Sequence, residues 1–263
     1  MARILSGPGG NAAPDIVSSL KTIKELGLDA QEIEFVRGVT MGEKKAKEVG
    51  SLAKELGLRL SIHAPYYINL LSSEEHKVEA SKKRILDSCR RGHYLGADSI
   101  VFHPGYYQKR NKHDSYEIVR DQIKDLLDVI KKEKLQVSLC PETTGKKSQF
   151  GDVDELLQLM QDTGCKICVD FAHIFARQNG KIDYDDIFRK FTKNKLKRLH
   201  CHFSGIEYSE KGETNHIQMT DEFLKPLLEA AAKTEIELTI INESPDPLHG
   251  AIDLKVLASA YGL

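Results

Sequence analysis

The chain has 263 residues, 40% hydrophobic and 29% charged, a composition that suits one large domain or two small ones with a sizeable core. Its formal net charge of −1 excludes a bulk basic footprint for nucleic acid and an acidic tail, although a local basic rim is compatible with that total. No apolar run approaches the roughly 20 residues of a membrane span, and the start "MARILSGPGG" lacks the pattern of a signal peptide.

Short β-rich runs alternate with longer helical runs along the chain. The predicted strands cover residues 2–6, 32–36, 58–63, 99–103, 136–142, 166–170, 197–203 and 237–243. Between them, apolar residues recur at helical spacing, as in "APDIVSSLKTIKELGL", and the weakest such run is "YDDIFRKFTKNK". Eight units favour a parallel (β/α)8 TIM barrel, usually about 250 residues long, over a doubly wound sheet. We expect residues 1–263 to form one domain of this kind.

The loops that follow the predicted strands are longer than those that precede them, notably 143–151, 174–183 and 204–220. Barrel enzymes carry their chemistry on this side, at the C-terminal ends of the strands. We therefore expect the active site there.

Six consecutive strands each deliver a histidine or a carboxylate to that end of the barrel. The residues are His63, His103, Glu142, Asp170, His202 and Glu243, and His173 and His216 follow nearby. Small or medium residues such as Ser61 and Cys140 share the strand face of these termini, which predicts that the ligands point into the barrel. Unpaired carboxylates repel one another and are costly to desolvate, so the cluster needs cations. Mixed nitrogen and oxygen ligands in this number predict two or three zinc ions, with manganese or iron as alternatives.

Other candidate ligands are interpreted as structural. His200 faces the same way as His202 but a layer deeper, so we expect it behind the ligands or in the core. Cys165 and Cys168 form a CxxC pair, but residues three apart on a strand point to opposite faces, which favours packing over metal binding. Five cysteines without regular spacing predict free thiols and a reducing cytoplasm.

The order of the motifs resembles a known enzyme family. "HAPYYINL", "VFHPG", "PETTGK", "VDFAHIFA", "HFSG", a loop histidine and "NESPDP" follow one another as in endonuclease IV, the zinc-dependent apurinic/apyrimidinic (AP) endonucleases within the xylose isomerase-like barrels. The resemblance runs from the third to the eighth strand and implies a trinuclear zinc cluster. Glu142 would bridge the first two ions, with His63 and His103 holding one and Asp170, His202 and Glu243 holding the other.

The resemblance is incomplete at the third ion, which would take His173 and His216. The family places an aspartate two residues before the last histidine, and this chain has Thr214 there. Either the adjacent Glu213 substitutes, or the third ion binds weakly.

The resemblance also implies a surface for DNA. The family uses a tyrosine three residues after the first histidine to enter DNA at the lesion, and Tyr66 holds that position with Tyr67 next to it. The alternative is that "PYYINL" packs a helix onto the barrel rim. Basic side chains of the loops would form a rim for the phosphates, or are only solvated loop charges: Lys109, Arg110, Lys112, Lys146, Lys147, Arg177 and Lys211.

The function that follows is hydrolysis of the phosphodiester 5′ to abasic sites in DNA, as in base excision repair, by a cytoplasmic monomer with no membrane partner. Incision needs a hydroxide near neutral pH, a neutralised phosphate and a stabilised leaving oxygen, which clustered divalent ions supply. Glu142 and Glu243 are the predicted catalytic carboxylates. One alternative is a sugar isomerase or epimerase of the same superfamily, with one metal on Glu142, Asp170, His202 and Glu243. Another is a non-catalytic, metal-dependent barrel that binds DNA or a partner.

Overall fold

The computed structural model describes residues 2–263, and its strands and helices alternate along that range. The parallel strands are β1 (Arg3–Pro8), β2 (Ala30–Glu34), β3 (Arg59–His63), β4 (Ser99–Phe102), β5 (Ser138–Pro141), β6 (Cys168–Asp170), β7 (Arg198–Phe203) and β10 (Glu237–Asn242). Between β7 and β10 the chain forms an antiparallel hairpin of β8 (Gly205–Ser209) and β9 (Gly212–Ile217).

Helices connect the strands and cover their outer side. They are α1 (Ile16–Glu25), α2 (Glu43–Leu56), α3 (Glu75–Leu95), α4 (Lys112–Lys132), α5 (Val153–Thr163), α6 (Phe171–Arg177), α7 (Tyr184–Lys193), α8 (Asp221–Ala232) and α9 (Pro247–Ala260). In the part of the chain that is described, none of them is long and apolar enough to cross a membrane.

The strands form two four-stranded arcs that close on each other. One arc has the order β1-β10-β7-β6 and the other the order β2-β3-β4-β5. A parallel bridge between Gly9 and Glu32 joins β1 to β2, and another between Glu142 and Cys168 joins β5 to β6. The prediction of a (β/α)8 TIM barrel is confirmed, and a doubly wound sheet does not describe the closed arrangement.

The alternation of the strands separates an outer core from the barrel interior. Ile62 and Ile100 belong to the main apolar cluster, and a Cβ on Gly92 of α3 would lie 2.6 Å from Ile100 Cδ1, so α3 packs closely on this outer face. Val101, Cys140 and Cys168 form a separate buried cluster. His103, Glu142 and Asp170 come two positions after Val101, Cys140 and Cys168. Because residues two apart share a strand face, these three side chains also point inward.

Several predicted strand ends shift by one or two residues, as in β1, β5 and β6, and three predicted segments are wrong in position or type. The second strand spans Ala30–Glu34 rather than 32–36, because the ladder with β3 starts at Ala30 opposite Arg59 and Val36 is exposed. Residues 174–177, predicted as loop, belong to α6, which starts directly after β6. Most of the predicted loop 204–220 is the β8–β9 hairpin.

Candidate metal centre

Glu142 lies at the centre of the predicted ligands. It is fully buried, with Oε2 2.8 Å from His103 Nε2 and 3.3 Å from His63 Nε2. Its other oxygen, Oε1, lies 2.9 Å from Nδ1 of His202. Burial alone would raise the pKa of Glu142, but the nearby histidines hold it well below its usual range. Both oxygens of this charged carboxylate therefore face nitrogen donors, which is the arrangement a bridging ligand requires.

The strand ends bring the predicted ligands into two groups that share Glu142. Within each group the candidate ligand atoms all lie within 4.8 Å of one another. The groups are His63, His103 and Glu142, and Glu142, Asp170, His202 and Glu243. Each combines histidine nitrogen with carboxylate oxygen, a donor set that zinc and related divalent ions accept.

Asp170 carries a buried oxygen that a cation would satisfy. Its Oδ1 accepts a hydrogen bond of 2.7 Å from the backbone N–H of His173 and so caps α6. Its Oδ2 is buried, lies 3.3 Å from Nδ1 of His173 and has no hydrogen-bond partner among residues 2–263. Burying a carboxylate oxygen without a hydrogen bond is costly, so the site fits a divalent cation.

The charge balance of the site also fits a divalent cation. Burial raises the pKa of Glu243 to about 8, and although His202 opposes that shift, the negative charges of Glu142 and Asp170 add to it. Burial lowers the pKa of His63, but its hydrogen bond to Glu142 and the negative charges of Glu142, Glu32 and Glu243 together outweigh burial and raise that pKa to about 9. Protons thus provide the positive charge that a cation would otherwise bring to these carboxylates.

The hairpin brings Glu213 and His216 beside His173, although within residues 2–263 these three do not form a ligand group as compact as the two above. His173 Nδ1 lies 2.9 Å from the carbonyl oxygen of Thr143. Since a carbonyl only accepts, Nδ1 carries the proton and Nε2 is left as the donor atom for a metal. This Nε2 is 3.4 Å from Oε2 of Glu213, and the rings of His173 and His216 are 5.4 Å apart. His216 itself contacts Ser204 Oγ through Nδ1, at 2.8 Å.

A β-bulge explains why Glu213 rather than Thr214 faces His173. Glu207 pairs with Asn215 and Tyr208 with Glu213, so Thr214 is an extra residue in β9, and it is exposed. Residues three apart on a regular strand face opposite sides, but the bulge lets Glu213 and His216 face the same side.

Gly145 provides the space that Glu213 occupies. A Cβ on Gly145 would lie 2.1 Å from Oε2 and 2.7 Å from Cβ of Glu213. Like Oδ2 of Asp170, Oε2 of Glu213 is a buried carboxylate oxygen without a hydrogen-bond partner in the described part of the chain. Burial raises the pKa of Glu213, but the charges of His173 and His103 outweigh burial and lower it.

Two buried residues below the ligands were not predicted to belong together. Glu32 of β2 is fully buried, and its Oε2 lies 2.9 Å from Nε2 of His200. Its Oε1 lies 2.9 Å from Nε2 of His202. His200 is in the deeper layer that the strand alternation predicts, but the sequence pattern assigns no role to Glu32. Glu32 stands between Gln31 and Ile33 in a polar strand, so little in the sequence marks it as buried.

The two predicted DNA-contacting tyrosines lie beyond the ligand His63 and face solvent. Tyr66 is 62% exposed and Tyr67 is 69% exposed, so neither packs a helix onto the rim. The loop is held by Arg84, which donates a 3.2 Å hydrogen bond to the carbonyl oxygen of Tyr67.

Two basic side chains of the predicted rim make contacts within the protein. Arg177 donates to the carbonyl oxygen of Lys146 at 2.5 Å and so holds the loop after β5, and Lys112 pairs with Asp152 at 2.6 Å. Lys109 and Lys211 are exposed.

A closed parallel barrel with clustered histidines and carboxylates at the C-terminal strand ends defines a TIM barrel with a candidate metal centre. The chain belongs to the xylose isomerase-like TIM barrel family, whose model matches residues 20–254.

Similar proteins include an uncharacterized protein and probable endonucleases 4. An uncharacterized protein of Methanocaldococcus jannaschii is 38% identical over 244 residues, 89% of this chain and 88% of that protein. A probable endonuclease 4 of Mycobacterium tuberculosis is 24% identical over 226 residues, 84% of this chain and 86% of that protein. The resemblance to the endonuclease IV family is confirmed.

Solved structures share the fold at lower identity. Endonuclease IV from Thermus thermophilus superposes with a TM-score of 0.74 at 20% identity and covers 98% of each chain. A 3-keto-D-glucoside 4-epimerase from E. coli superposes with a TM-score of 0.70 at 18% identity, over 99% of this chain and 100% of that one. At these identities the similarity shows that the chain shares the barrel fold. The reaction has to be inferred from the residues of the site.

Proposed function

We propose that the protein is a metal-dependent AP endonuclease that hydrolyses the phosphodiester 5′ to abasic sites in DNA. The observation that supports this most is the sharing of Glu142 between two ligand groups, with His173, Glu213 and His216 beside them. A shared carboxylate and surplus histidines indicate a site for two or three ions, for which zinc is the best match to the donors.

The proposed roles follow from the contacts. His63 and His103 would hold one ion, Glu142 would bridge, and a second ion would use Asp170, His202 and Glu243. When bound, such ions generate hydroxide near neutral pH, neutralise phosphate charge and stabilise a leaving oxygen. Glu142 fixes the spacing of the two groups. Glu243, with 19% of its side chain exposed, is the carboxylate that we assign to face the substrate.

The exposed tyrosines support DNA as the partner. Tyr66 and Tyr67 project from the loop that directly follows the ligand His63. An abasic nucleotide is already unpaired, which lowers the cost of moving it out of the helix. Aromatic side chains at the mouth would then fill or prop the gap in the duplex.

We further propose a cytoplasmic monomer that forms one domain over residues 1–263. The five cysteines are all free and buried, which suits a reducing compartment.

The test combines metal content, by plasma mass spectrometry, with incision of an abasic duplex by the same preparation. We expect two to three zinc ions per chain and incision that disappears when the metal is stripped. Glu142→Gln should lose both metal and incision, whereas the same change at the exposed Glu235 should keep both. About one ion per chain without incision would sink the proposal. Two or three ions with DNA binding but no incision would indicate the non-catalytic barrel.

A sugar isomerase or epimerase is the second candidate, because the group Glu142, Asp170, His202 and Glu243 could hold a single metal by itself. The double change His63→Asn and His103→Asn separates the two functions. It should abolish incision if the endonuclease proposal holds. Turnover of hydroxy-carbonyl sugars that survives this change would favour the epimerase.

A further inference from the structure

We propose that Glu32 is a positioning residue that fixes His202 as a metal ligand through its Nδ1 atom. The inference rests on the metal-dependent function proposed above and assigns part of that site to strand β2. Among the described residues, the carboxylate of Glu32 pairs with His200 and His202, so it would act on the metal site through His202.

The two nitrogens of His202 face different surroundings. Nδ1 lies 2.9 Å from Glu142 Oε1 and 3.2 Å from Glu243 Oε1, within the ligand group. Nε2, on the other side of the ring, lies 2.9 Å from Glu32 Oε1. The ring therefore stands between the metal centre and one buried carboxylate.

Carboxylates face both nitrogens of His202, so a cation within the ligand group, on the Nδ1 side, would select one tautomer. A neutral imidazole carries one proton, and an ionised carboxylate only accepts hydrogen bonds. Glu32 thus favours the proton on Nε2, which leaves the lone pair of Nδ1 for a cation. Hydrogen bonding of this kind between a carboxylate and a ligating histidine orients the ring and makes its free nitrogen more basic.

Glu32 is itself held in place from below. Its second oxygen lies 2.9 Å from Nε2 of His200, and both residues are buried. Oε1 of Glu32 and Nε2 of His202 are 2.9 Å apart but do not form a well-aligned hydrogen bond, and neither atom has another hydrogen-bond partner among residues 2–263. Aligning the two atoms with each other would satisfy both, and His200 limits the movement of Glu32.

The experiment is titration of the metal-free protein with cobalt(II), followed by visible absorption. Glu32→Ala should weaken cobalt binding by about 10- to 100-fold, the usual cost of losing such a partner. Glu32→Gln keeps an oxygen acceptor of the same length and should lose less. Ser61→Ala is the matched control, since Ser61 lies opposite Glu32 on β3, is buried and has no hydrogen bond from its hydroxyl.

A second readout separates positioning from folding. Nitrogen NMR of zinc-loaded protein should show the proton of His202 on Nε2 in the parent and in Glu32→Gln. In folded Glu32→Ala, this assignment should be lost or heterogeneous. Unchanged cobalt affinity in a folded Glu32→Ala protein would overturn the inference and leave the metal site intact. If the parent chain bound no cobalt at all, the proposed function would fail together with the inference.

One further outcome would contradict the geometry. Ligand atoms of Cys168, His200 and His202 also lie within 4.8 Å of one another. An absorption band from a thiolate bound to cobalt would place the metal in this group if Cys168→Ser removed the band. Cys140→Ser is the control and should leave the band unchanged. Nε2 of His202 would then be a ligand rather than the atom oriented by Glu32.

Discussion

Single residues determine which ligand atoms can reach the proposed third metal position beside His173, and Gly145 is the clearest case. Its lack of a side chain is what allows Glu213 to lie beside His173. We predict that Gly145→Ala displaces Glu213 and removes about one metal ion per chain. Incision should fall by about 10- to 100-fold, as for other losses of metal-site partners. Plasma mass spectrometry and an abasic-duplex assay measure the two effects.

Gly42 is the control for that substitution. It has φ −72° and nothing within 4 Å of an added Cβ, so Gly42→Ala should keep the metal content. Full zinc content in Gly145→Ala would show that Glu213 is not a ligand.

Tyr66 and Tyr67 give a prediction for the substrate rather than the metal. Replacing either with Ala should weaken binding of an abasic duplex by about 1–3 kcal/mol, the usual contribution of one aromatic stacked on a base. Metal content should not change, because neither side chain belongs to the ligand groups. Fluorescence anisotropy with labelled duplex is the measurement. Tyr261→Ala, at the end of α9 on the far side of the barrel, should bind normally, and equal binding by all three variants would remove the tyrosines from the DNA surface.

The residues that the sequence could and could not predict differ in how they reach the site. His63, His103 and Glu142 come directly from the ends of strands, where period-two alternation determines their direction. Glu213 was predicted only as one of two alternatives at the third ion, because its direction depends on a bulge in a hairpin that the sequence pattern does not show. The role of Glu32 depends on its contacts with His200 and His202 of β7 across the barrel. The residue pattern of one strand does not predict such contacts.

Among the elements, α5 anchors the loop that carries Gly145. Asp152 accepts a 2.9 Å hydrogen bond from the N–H of Glu155, and Glu155 accepts one of 3.0 Å from the N–H of Asp152. This capping box fixes the start of the helix. Asp152→Ala should therefore lower the free energy of unfolding by about 1 kcal/mol, measured by urea denaturation.

The effect of Asp152→Ala should depend on pH. Burial raises the pKa of Asp152, but Lys112 and the N–H of Glu155 outweigh burial and lower it below 3.8. A lowered pKa stabilises the fold above the unfolded value, so the difference from the parent is full at neutral pH. It should shrink as the pH falls below about 4. Asp154→Ala, an exposed change in the same first turn, should have little effect, and an equal loss from both variants would argue against the cap.

The elements themselves were largely predictable, because long amphipathic runs such as those of α1 and α8 carry a clear helical period. The short helix α6 was missed because "FAHIFAR" has too few turns to show a period. The β8–β9 hairpin was missed because "SGIEYSEKGETNHI" is polar and lacks strand alternation. Its stability comes from pairing and from packing of Ile206 with Ala172 and Ala176.

For the whole molecule, metal binding should be linked to thermal stability. The candidate ligands come from both arcs of the barrel, so bound ions would connect them. Any ligand that binds only the folded state stabilises it, by about 2.7 kcal/mol at a concentration 100 times its dissociation constant. Removing zinc with a chelator should then lower Tm by roughly 5–10 °C for a chain of this length. Calorimetry with and without zinc tests this, and Glu142→Gln should show no zinc-dependent shift.

The two arcs also imply an order of folding. Strands β2 to β5 follow one another in sequence and pair as neighbours, so their contacts close short loops and carry a small entropic cost. The other arc pairs β1 with β10, which joins distant parts of the chain and must wait until β10 has been synthesised. Glu32 and Glu142 lie at the two bridges where the arcs meet. A nascent chain would therefore carry His63, His103 and Glu142 early, yet complete the candidate metal site only when the barrel closes.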